Sequence, residues 1–500
     1  MTTSILVPQK AIPAFWTARE NRHCQETNEV VMTPENQRSE LEALSPVDGR
    51  YSGYTKPLAT IFSERGLMHY RIKVEVEYFI ALSEHPGIGL RAFSEEENRT
   101  VRQLCALSVE EAEIVKAIET TGYGNLKPIC HDVKAIEYYL KRKLEGTTLD
   151  DCVEWIHFAL TSEDINSIAY GLMLSDGMGK IILPQATELY TAMEELAQRY
   201  KQLPVLARTH GQPASPTTLG KEFKVYASRL ERQLSQWASL EILAKLNGAT
   251  GNYNAYYAAY PEVDWIAFTQ DFVERFNEGR TLKLKPNLIT TQIESHDTYA
   301  ELFDNLRRLN TIVLDFNQDI WRYISDGWIV QKPHEGEIGS STMPHKVNPI
   351  DFENSEGNLG VANALLGFFS TKLPISRLQR DLSDSTVERN FGTALAHSLI
   401  GYISTLNGLH KITVNEQKVW EDLENHPEVI AEAIQTVLRS AGAALPYETL
   451  KELTRGKKVT TDDLKQFIAS LDIPEEIKEK LQGITPANYT GIAQLLVEMK

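Results

Sequence analysis

The segment 302–323, LFDNLRRLNTIVLDFNQDIWRY, has the most regular apolar pattern in the 500-residue sequence. Along this segment, successive apolar positions are separated alternately by four and by three residues. Neither proline nor glycine occurs between Leu302 and Gly327. These positions are Leu302, Leu306, Leu309, Val313, Phe316, Ile320 and Tyr323. The spacing is typical of a long helix with one apolar seam, as in a coiled coil. The segment therefore predicts a long helix that packs alongside other helices.

Two further long helices are predicted ahead of this segment. One opens at Pro184, and its apolar face consists of Ala186, Leu189, Met193, Leu196 and Tyr200. The other opens at Ser215 and Pro216, an N-cap residue followed by proline at the first helical position, and stops at Asn247–Gly248. A helix of about thirty residues is about 45 Å long, too long to fold back inside a small domain. We therefore expect an elongated bundle whose apolar stripes are completed by copies of the same chain.

The predicted fold class is all-α, with this central bundle and two smaller helical domains. We expect a loosely ordered extension over 1–43, an N-terminal helical domain over 44–150 and a C-terminal helical domain over 410–500. The central long-helix bundle, over 151–409, is expected to serve both oligomerisation and catalysis. Proline and glycine interrupt the helical patterns of the flanking regions, for example at Pro86–Gly87 and Pro474. The sequence has neither a convincing alternating strand pattern nor a nucleotide-binding glycine fingerprint.

The composition narrows the range of partners. Lys and Arg total 51 against 68 Asp and Glu, and the resulting net charge of −17 disfavours nucleic acid as a ligand. No stretch approaches the roughly 20 apolar residues that span a bilayer, so no membrane association is expected. The four cysteines lack CxxC spacing and are too few for a disulfide framework, which favours a reducing, cytoplasmic location. A small anionic ligand requires a local concentration of basic residues.

The segment 336–349, GEIGSSTMPHKVNP, carries several chemically active side chains between glycine and proline residues. Because glycine and proline break regular structure, we expect a mobile loop here. Ser340 and Ser341 offer hydroxyl groups, Lys346 a positive charge, and Asn348 an amide donor that can meet an oxyanion. A solvated connector between helices has a similar composition. The segment alone leaves both interpretations open.

Three histidine-containing strings are also candidates. His210 lies in RTHGQPA, residues 208–214, where a histidine can exchange protons near neutral pH or simply hydrogen-bond the loop. His131, followed by Asp132, and His157 lie near predicted helices, and a structural or a catalytic role fits each of them. No spacing suggests a metal site, and no order of Ser, His and Asp identifies a hydrolase.

Two polar strings suit an anion. The residues from Thr161 to Asp164 have the spacing of a capping box ahead of an apolar run. The same helix end, with the hydroxyl groups of Thr161 and Ser162, can hold a carboxylate or a phosphate. Capping alone explains the residue types equally well.

The second string, SRLQRDLSDSTVERN at 376–390, contains Arg377, Arg380, Ser385 and Arg389. Ser385 and Arg389 are four residues apart and share a helical face, and arginine forks match phosphate oxygens. A surface salt-bridge lattice that includes Asp381, Asp384 and Glu388 is the alternative. The spacing does not decide between the two.

Taken together, these strings resemble the fumarase/aspartase superfamily. GSSTMPHKVNP (339–349) is similar to its mobile loop, RTHGQPASPTTLGKE (208–222) to its second signature region and HFALTSEDINS (157–167) to its first. Further strings resemble adenylosuccinate lyases of the bacterial type: SPVDGRY (45–51), CHDVKAIEYYL (130–140), GNYNAYYAAYPEVDW (251–265), SRLQRDLSDSTVERN and LKELTRGK (450–457). The resemblance runs from about Leu44 to Lys500, and FNEGRTLKLKPN (276–287) is longer than is usual in the family.

The resemblance implies a homotetramer whose active sites are shared between chains, and it implies nucleotide substrates without a cofactor or a metal. Two reactions follow from it: adenylosuccinate to AMP and fumarate, and succinylaminoimidazole carboxamide ribotide (SAICAR) to its carboxamide product (AICAR) and fumarate. It makes Ser340 the base and His210 the general acid, while Lys346 and Asn348 hold the developing anion. The implied substrate-binding residues are Arg50, Tyr51, His131, Asp132, His157, Thr161, Ser162, Gln292, Arg380, Ser385 and Arg389.

Two alternatives remain open on the sequence. A different fumarate-releasing lyase of the same superfamily would act on a substrate without phosphate, which leaves the neighbourhoods of Arg50 and Arg389 without a ligand. A non-catalytic helical scaffold is the other, and the presence of Ser340, His210 and Lys346 argues against it.

Overall fold

The computed structural model describes residues 40–332, 343, 346–442 and 459–499, and most of these residues are helical. The helices are α1 (Ser52–Phe62), α2 (Glu64–Glu84), α3 (Glu95–Gln103), α4 (Val109–Thr120), α5 (Asp132–Leu144), α6 (Ser162–Gly177), α7 (Leu183–Arg199), α8 (Leu219–Trp237), α9 (Asn254–Ala259), α10 (Trp265–Glu274), α11 (Asp297–Ser325), α12 (Ile350–Lys372), α13 (Ser383–Glu388), α14 (Phe391–Lys411), α15 (Glu416–Glu424), α16 (Ala431–Ser440), α17 (Thr461–Ser470), α18 (Glu475–Gln482) and α19 (Ala493–Glu498). The all-α prediction is confirmed.

The strands that the described residues contain are short and form two-stranded sheets. Antiparallel pairs join β1 (Pro204–Val205) to β4 (Thr217–Thr218), β2 (Arg208–Thr209) to β3 (Gln212–Pro213) and β7 (Ile329–Gln331) to β8 (Ile412–Val414), and a parallel pair joins β5 (Glu241–Ala244) to β6 (Lys283–Pro286). These sheets tie loop segments together at the ends of the helices. None of the helices in the described ranges combines the length and the apolarity that a bilayer crossing needs.

Helix α11 forms where the apolar seam predicts it. It has 29 residues, about 43 Å of helix, and its seam is buried from Leu302 to Ile320. The helix packs against α12, which in turn packs against α14. Buried polar side chains cross-link the three helices, since Asn317 Nδ2 donates to Ser355 Oγ at 2.8 Å and Thr405 Oγ1 donates to the same oxygen at 2.8 Å. Buried polar groups that are paired in this way help to fix the register of the helices.

Helix α7 begins at Leu183, one residue before the predicted start at Pro184, but the break expected ahead of it is not present. Helix α6, a π-helical turn over Met178–Ile182 and α7 follow one another without a break, giving 38 residues of helix from Ser162 to Arg199. Proline lacks an N–H group and its ring presses on the preceding turn, and the wider π turn immediately before Pro184 accommodates both features. The result is a continuous rod of about 55 Å.

The predicted helix from Ser215 to Asn247 is also wrong in its bounds, because α8 has only 19 residues. Ser215 and Pro216 precede the short strand β4, whose pairing with β1 occupies the backbone that would otherwise open the helix. Thr218 is the actual N-cap, and its side chain accepts a hydrogen bond from the Lys221 N–H at 3.2 Å. Beyond Trp237 the chain enters strand β5 rather than continuing as a helix.

Candidate active site

The N-terminal end of α6 is held by a capping box of the predicted kind. The Thr161 N–H donates to Asp164 Oδ2 at 2.9 Å. Asp164 is fully buried and also accepts from Lys245 Nζ at 2.8 Å and from the Asn247 N–H at 2.9 Å. Because the Asp164 carboxylate is surrounded by donors, it fixes the position of the helix end and leaves the Ser162 hydroxyl on the outer side.

His131 and Asp132 lie directly beside this helix end. His131 caps α5, where its Nδ1 accepts from the Lys134 N–H at 3.2 Å, and its Nε2 lies 3.5 Å from Ser162 Oγ. Asp132 forms ion pairs with Arg71 and Arg389, each at 2.8 Å. Burial alone would raise the pKa of Asp132, but Arg71, the Val133 backbone N–H and Arg389 outweigh it and hold the pKa at about 2.

Two arginines of the string 376–390 form ion pairs with carboxylates of the same chain. Arg377 and Asp381 form the expected exposed ion pair at 3.7 Å. Arg380 is largely buried between Glu163 at 2.9 Å and Asp384 at 3.4 Å. Both arginines are therefore paired with carboxylates within this chain, as the salt-bridge alternative requires.

Arg389 forms its ion pairs outside the string 376–390, with residues at the N-terminal ends of α2 and α5. Its Nη1 lies 2.8 Å from Glu64 and its Nη2 lies 2.8 Å from Asp132. The side chain is about one third exposed, so one side of the guanidinium remains open to a ligand. Ser385 lies on α13, one turn before Arg389, and its N–H donates to Asp384 at 2.6 Å.

We call the residues brought together here the ion-pair cluster. Its members are His131, Asp132, Thr161, Ser162, Arg380, Ser385 and Arg389. Gln292 is placed against the same arginine-rich string, because its N–H donates to the Gln379 carbonyl at 3.3 Å.

His157 occupies a strained and largely buried position just before α6. Its backbone φ is +62°, in the left-handed region that non-glycine residues rarely adopt. Its Nδ1 lies 2.5 Å from Oε1 of Glu75, which is fully buried on α2. Burial works to lower the pKa of His157, but the charge of Glu75 and the hydrogen bond to it outweigh that effect and raise the pKa. A constraint of this kind is typical of functional sites.

A separate cavity of about 520 Å³, which we call the tyrosine pocket, contains two of the predicted substrate residues. Its lining consists of Arg50, Tyr51, Tyr54, Ile350, Asp351, Asn354, Ser404 and Asn407. Arg50 is exposed, its guanidinium carbon lies 6.0 Å from the centroid of the Tyr51 ring, and no described carboxylate is within ion-pair distance of it. Asp351 is already neutralised by Lys411 at 2.7 Å. The pocket therefore offers an uncompensated positive charge to an anion.

Lys346 and Asn348 lie in the short segment that leads into α12, whose first residues Ile350 and Asp351 line the tyrosine pocket. The Lys346 N–H donates to the Met343 carbonyl at 3.1 Å, and Gln331 Nε2 donates to the Val347 carbonyl at 3.1 Å. Lys346 is exposed and Asn348 is half-buried. Ser340 and Ser341, the predicted base and its neighbour, lie outside the described residues.

His210 is at the tip of the β2–β3 hairpin. His210 and Gly211 form its two-residue turn, and their φ values of +53° and +74° have the signs of a type I′ turn. Asp422 lies 3.8 Å from Arg208 at the base of the hairpin. The imidazole is exposed, and none of the described residues forms a hydrogen bond or an ion pair with it.

These groups of residues are far apart within one chain. The rod of α6 and α7 separates Ser162 from Arg199 by about 55 Å, and eleven extended residues from Arg199 to His210 span at most about 40 Å. His210 is thus at least about 15 Å from the ion-pair cluster. Helix α14, about 30 Å long, likewise separates Arg389 from Lys411 beside the tyrosine pocket.

Several structural partners were not anticipated from the sequence. Glu75 and Arg71 lie on α2, which is buried on nearly all sides and shows no pattern that marks two charged residues as functional. Asn354 follows the 336–349 segment by five residues, and its closeness to that segment was the available signal. Lys245 had no local signal at all, because its partner Asp164 lies 81 residues away.

The comparisons with known proteins define the class first. A family model described as lyase matches residues 49–363, and one described as adenylosuccinate lyase C-terminal matches residues 376–490. Among solved structures, a fumarate lyase from Mesorhizobium sp. BNC1 aligns with a TM-score of 0.69 at 17% identity, covering 89% of this chain and 96% of that one. A 3-carboxy-cis,cis-muconate lactonizing enzyme from Pseudomonas putida gives 0.68 at 20% identity, with 90% and 97% covered. The fold is that of the helical fumarate lyases.

Curated relatives identify the family within that class. The chain is 50% identical to adenylosuccinate lyase of Escherichia coli strain K12 over 463 residues, which is 92% of this chain and 99% of the relative. It is 46% identical to the adenylosuccinate lyase of Dictyostelium discoideum, with 91% and 98% covered. The chain belongs to the adenylosuccinate lyase family.

Proposed function

We propose that the protein removes fumarate from adenylosuccinate, leaving AMP, and performs the same β-elimination on SAICAR in purine biosynthesis. As an adenylosuccinate-cleaving enzyme it is a carbon–nitrogen lyase. Identity of about 50% over nine tenths of the chain, to relatives that carry this activity in their names, supports the substrate. The open positive charge of Arg50 supports a phosphate-bearing ligand.

We assign to the catalytic residues the roles that the resemblance implies. Ser340 takes the proton from the carbon next to a carboxylate, and the negative charge that builds on that carboxylate is held by Lys346 and Asn348. The electron pair of the broken C–H bond forms the new double bond as the carbon–nitrogen bond breaks. His210 donates a proton to the departing nitrogen, and its exposed position on a two-residue hairpin turn leaves the imidazole available for this step.

The substrate-binding residues are divided between two places. We assign Arg50 and Tyr51, in the tyrosine pocket, to the phosphate. Ser385 and Arg389 contribute from the ion-pair cluster, with Arg389 already oriented by Glu64 and Asp132. Thr161, Ser162 and Gln292 hold the succinyl part, while His131 and His157 orient the substrate beside them. We place Arg380 in the same anion-binding environment. Its ion pairs with Glu163 and Asp384 hold it in a largely buried position there.

One observation carries the architecture of the proposed site: His210 is at the far end of the α6–α7 rod from the ion-pair cluster. A single chain cannot bring the two together, whereas copies arranged side by side in opposite directions can. We therefore assign each active site to several chains of a homotetramer. The domain division at 43, 150 and 409 and a cytoplasmic location belong to the same proposal.

The activity test is direct. The purified protein is incubated with adenylosuccinate, SAICAR or argininosuccinate, and fumarate release is followed. Turnover of the first two alone is expected. Turnover of argininosuccinate alone would assign the protein to another lyase of the superfamily, and turnover of none would favour a non-catalytic scaffold.

A complementation experiment tests the shared site. His210→Ala and Ser340→Ala proteins are dissociated, mixed in equal amounts and reassembled. A site that takes His210 and Ser340 from different chains is intact in about a quarter of cases under closed symmetric assembly. Recovery near a quarter of the wild-type activity is expected. If verified mixed assemblies stay inactive, both residues come from one chain and the shared-site architecture is wrong.

A further inference from the structure

A groove between α8 and α11 concentrates positive charge on an otherwise acidic chain. The cavity has a volume of about 530 Å³, which is in the range of small-molecule sites. Its basic and amide side chains are Arg229, Arg232, Gln233, Gln236, Arg307 and Arg308. None of these residues belongs to the ion-pair cluster or to the tyrosine pocket. We call this cavity the arginine groove.

Two of the four arginines are paired with carboxylates of the same chain. Arg229 Nη1 lies 2.6 Å from Asp315, and Arg307 Nη2 lies 3.0 Å from Asp304. Both pairs are exposed, so each contributes little to the stability of the fold. They balance two of the four positive charges.

The other two arginines are not balanced in this way. Arg308 donates from Nε to Gln233 Oε1 at 3.1 Å and from Nη2 to Gln236 Oε1 at 3.3 Å, and both acceptors are neutral amides. Among the described residues, Arg232 has neither a hydrogen bond nor an ion-pair partner. Gln233 is buried, so Arg308 is oriented by a fixed acceptor while its charge remains available.

The lining of the groove indicates which ligand it suits. Its apolar member, Ile312, is buried, so the groove offers no exposed apolar side chain to another protein surface. Among the described lining residues there is no aromatic ring on which a nucleobase could stack. Guanidinium forks match phosphate oxygens, and an anion of several phosphate groups can meet Arg232 and Arg308 together.

The charge of the whole chain makes this groove selective. The net charge of −17 repels small anions from most of the surface, so an anion binds where basic side chains outnumber acidic ones. The arginine groove meets this condition, with two more positive charges than its paired carboxylates supply.

We propose that the arginine groove is a binding site for a linear oligophosphate, either inorganic or the phosphate chain of a nucleoside triphosphate. The site does not rest on the proposed function, because it uses none of the residues assigned there.

Calorimetric titration of the full-length protein with inorganic tripolyphosphate tests the proposal. The wild-type protein is expected to bind it. Arg232→Ala and Arg308→Ala are each expected to weaken the affinity roughly ten- to a hundredfold, as the loss of one charge-assisted contact allows. Arg232 has no bond to a described residue that its replacement could break, so this variant keeps its fold. Absence of binding to the wild type, or full affinity in either variant, would overturn the proposal.

Two further variants locate the bound anion. Arg322→Ala is the matched control, because Arg322 also lies on α11 but is exposed outside the groove and pairs with Asp326 at 2.9 Å. It changes the net charge equally and is expected to bind tripolyphosphate as the wild type does. An equal loss of affinity would show a response to overall charge and overturn the site. Loss of binding in Arg50→Ala with full affinity in the two groove variants would place the anion in the tyrosine pocket instead.

Titration with ATP distinguishes the two sources of the phosphate chain. The component of binding that Arg232→Ala removes is expected to have nearly the same affinity for ATP as for tripolyphosphate, because the lining has no ring to hold the base. A tenfold or greater preference for ATP in that component would show that the nucleoside is recognised and contradict recognition by the phosphate chain.

Light scattering tests whether another copy of the chain occupies the groove. The mass of the assembly is expected to be the same for the wild type, Arg232→Ala and Arg308→Ala. A smaller assembly in either variant would show that the groove pairs with carboxylates of a second copy and would overturn the oligophosphate site.

Discussion

Two histidines at opposite ends of the α6–α7 rod show how differently one chain treats the same side chain. His157 is largely buried, strained and clamped to Glu75 at 2.5 Å. His210 is exposed on a hairpin turn and forms no bond to any described residue. The His157 ring is held by its pair with a buried carboxylate, whereas the His210 ring has no partner among the described residues and is available to give its proton to a ligand. The difference predicts separable effects on stability and on turnover.

The largest effect is expected from His210→Ala. We expect kcat to fall by about 10² to 10⁴-fold, the usual contribution of a general acid, because the departing nitrogen loses its proton donor. The midpoint of urea unfolding should stay unchanged, since the imidazole has no partner among the described residues. A large loss of stability would show that the comparison between the two histidines is wrong.

His157→Ala should behave in the opposite way. The change leaves the fully buried Glu75 carboxylate without its partner, and breaking a buried pair of this kind costs about 3 to 5 kcal/mol of unfolding free energy. Urea unfolding measures it, and His157→Gln, which keeps a donor for Glu75, is the control. Equal stability of the alanine and wild-type proteins would contradict a stabilising role for the His157–Glu75 pair.

Arg389→Ala tests whether the ion-pair cluster binds the nucleotide in addition to stabilising the local fold. Loss of a charge-assisted contact should weaken binding of AMP by roughly 1.5 to 3 kcal/mol, measured by calorimetry. Arg377→Ala is the matched control, because Arg377 is mostly exposed and its ion pair among the described residues is with Asp381 of the same string. Equal affinity of the two variants for AMP would support the alternative interpretation, in which the string 376–390 forms only a salt-bridge lattice.

The smallest effect is a pH dependence that belongs to His157 alone. Its pKa is raised in the folded protein, so the pair with Glu75 contributes stability that is fully present below the unfolded pKa of about 6.5. That contribution is lost as pH rises through the folded pKa. The stability advantage of wild type over His157→Gln should therefore shrink as the pH rises above about 6.5. An advantage that grows with pH would reverse the assigned direction of the shift.

The sequence was informative where the decisive contacts are local. The seam from Leu302 to Ile320 repeats every three to four residues and predicted α11 correctly, and the capping box at Thr161 formed as its spacing indicated. The pairing of β1 with β4 was not predicted, because a two-residue strand has no periodicity. For the same reason the start of α8 was placed at Ser215 instead of Leu219.

The candidate site shows the same difference between features set by neighbouring residues and features set by contacts between distant residues. The residue types of Ser385 and Arg389 suggested an anion site, but the ion pair of Arg389 with Asp132 spans 257 positions and left no mark in either string. Tyr51 was identified by resemblance, whereas its bond to Asn354 became visible only once α1 and α12 were packed together.

The sequence by itself determined the helical class, the long apolar seam and the family, because periodicity and motif strings are properties of neighbouring residues. Only the tertiary structure decided which charged and titratable side chains are paired within the chain and which have no partner among the described residues. Among the described residues, Arg380 and His157 are matched with buried carboxylates, while Arg50 and His210 are not. The physical reason is that pairing depends on distances of a few ångströms between groups that the chain order leaves far apart, and these distances are set by helix packing.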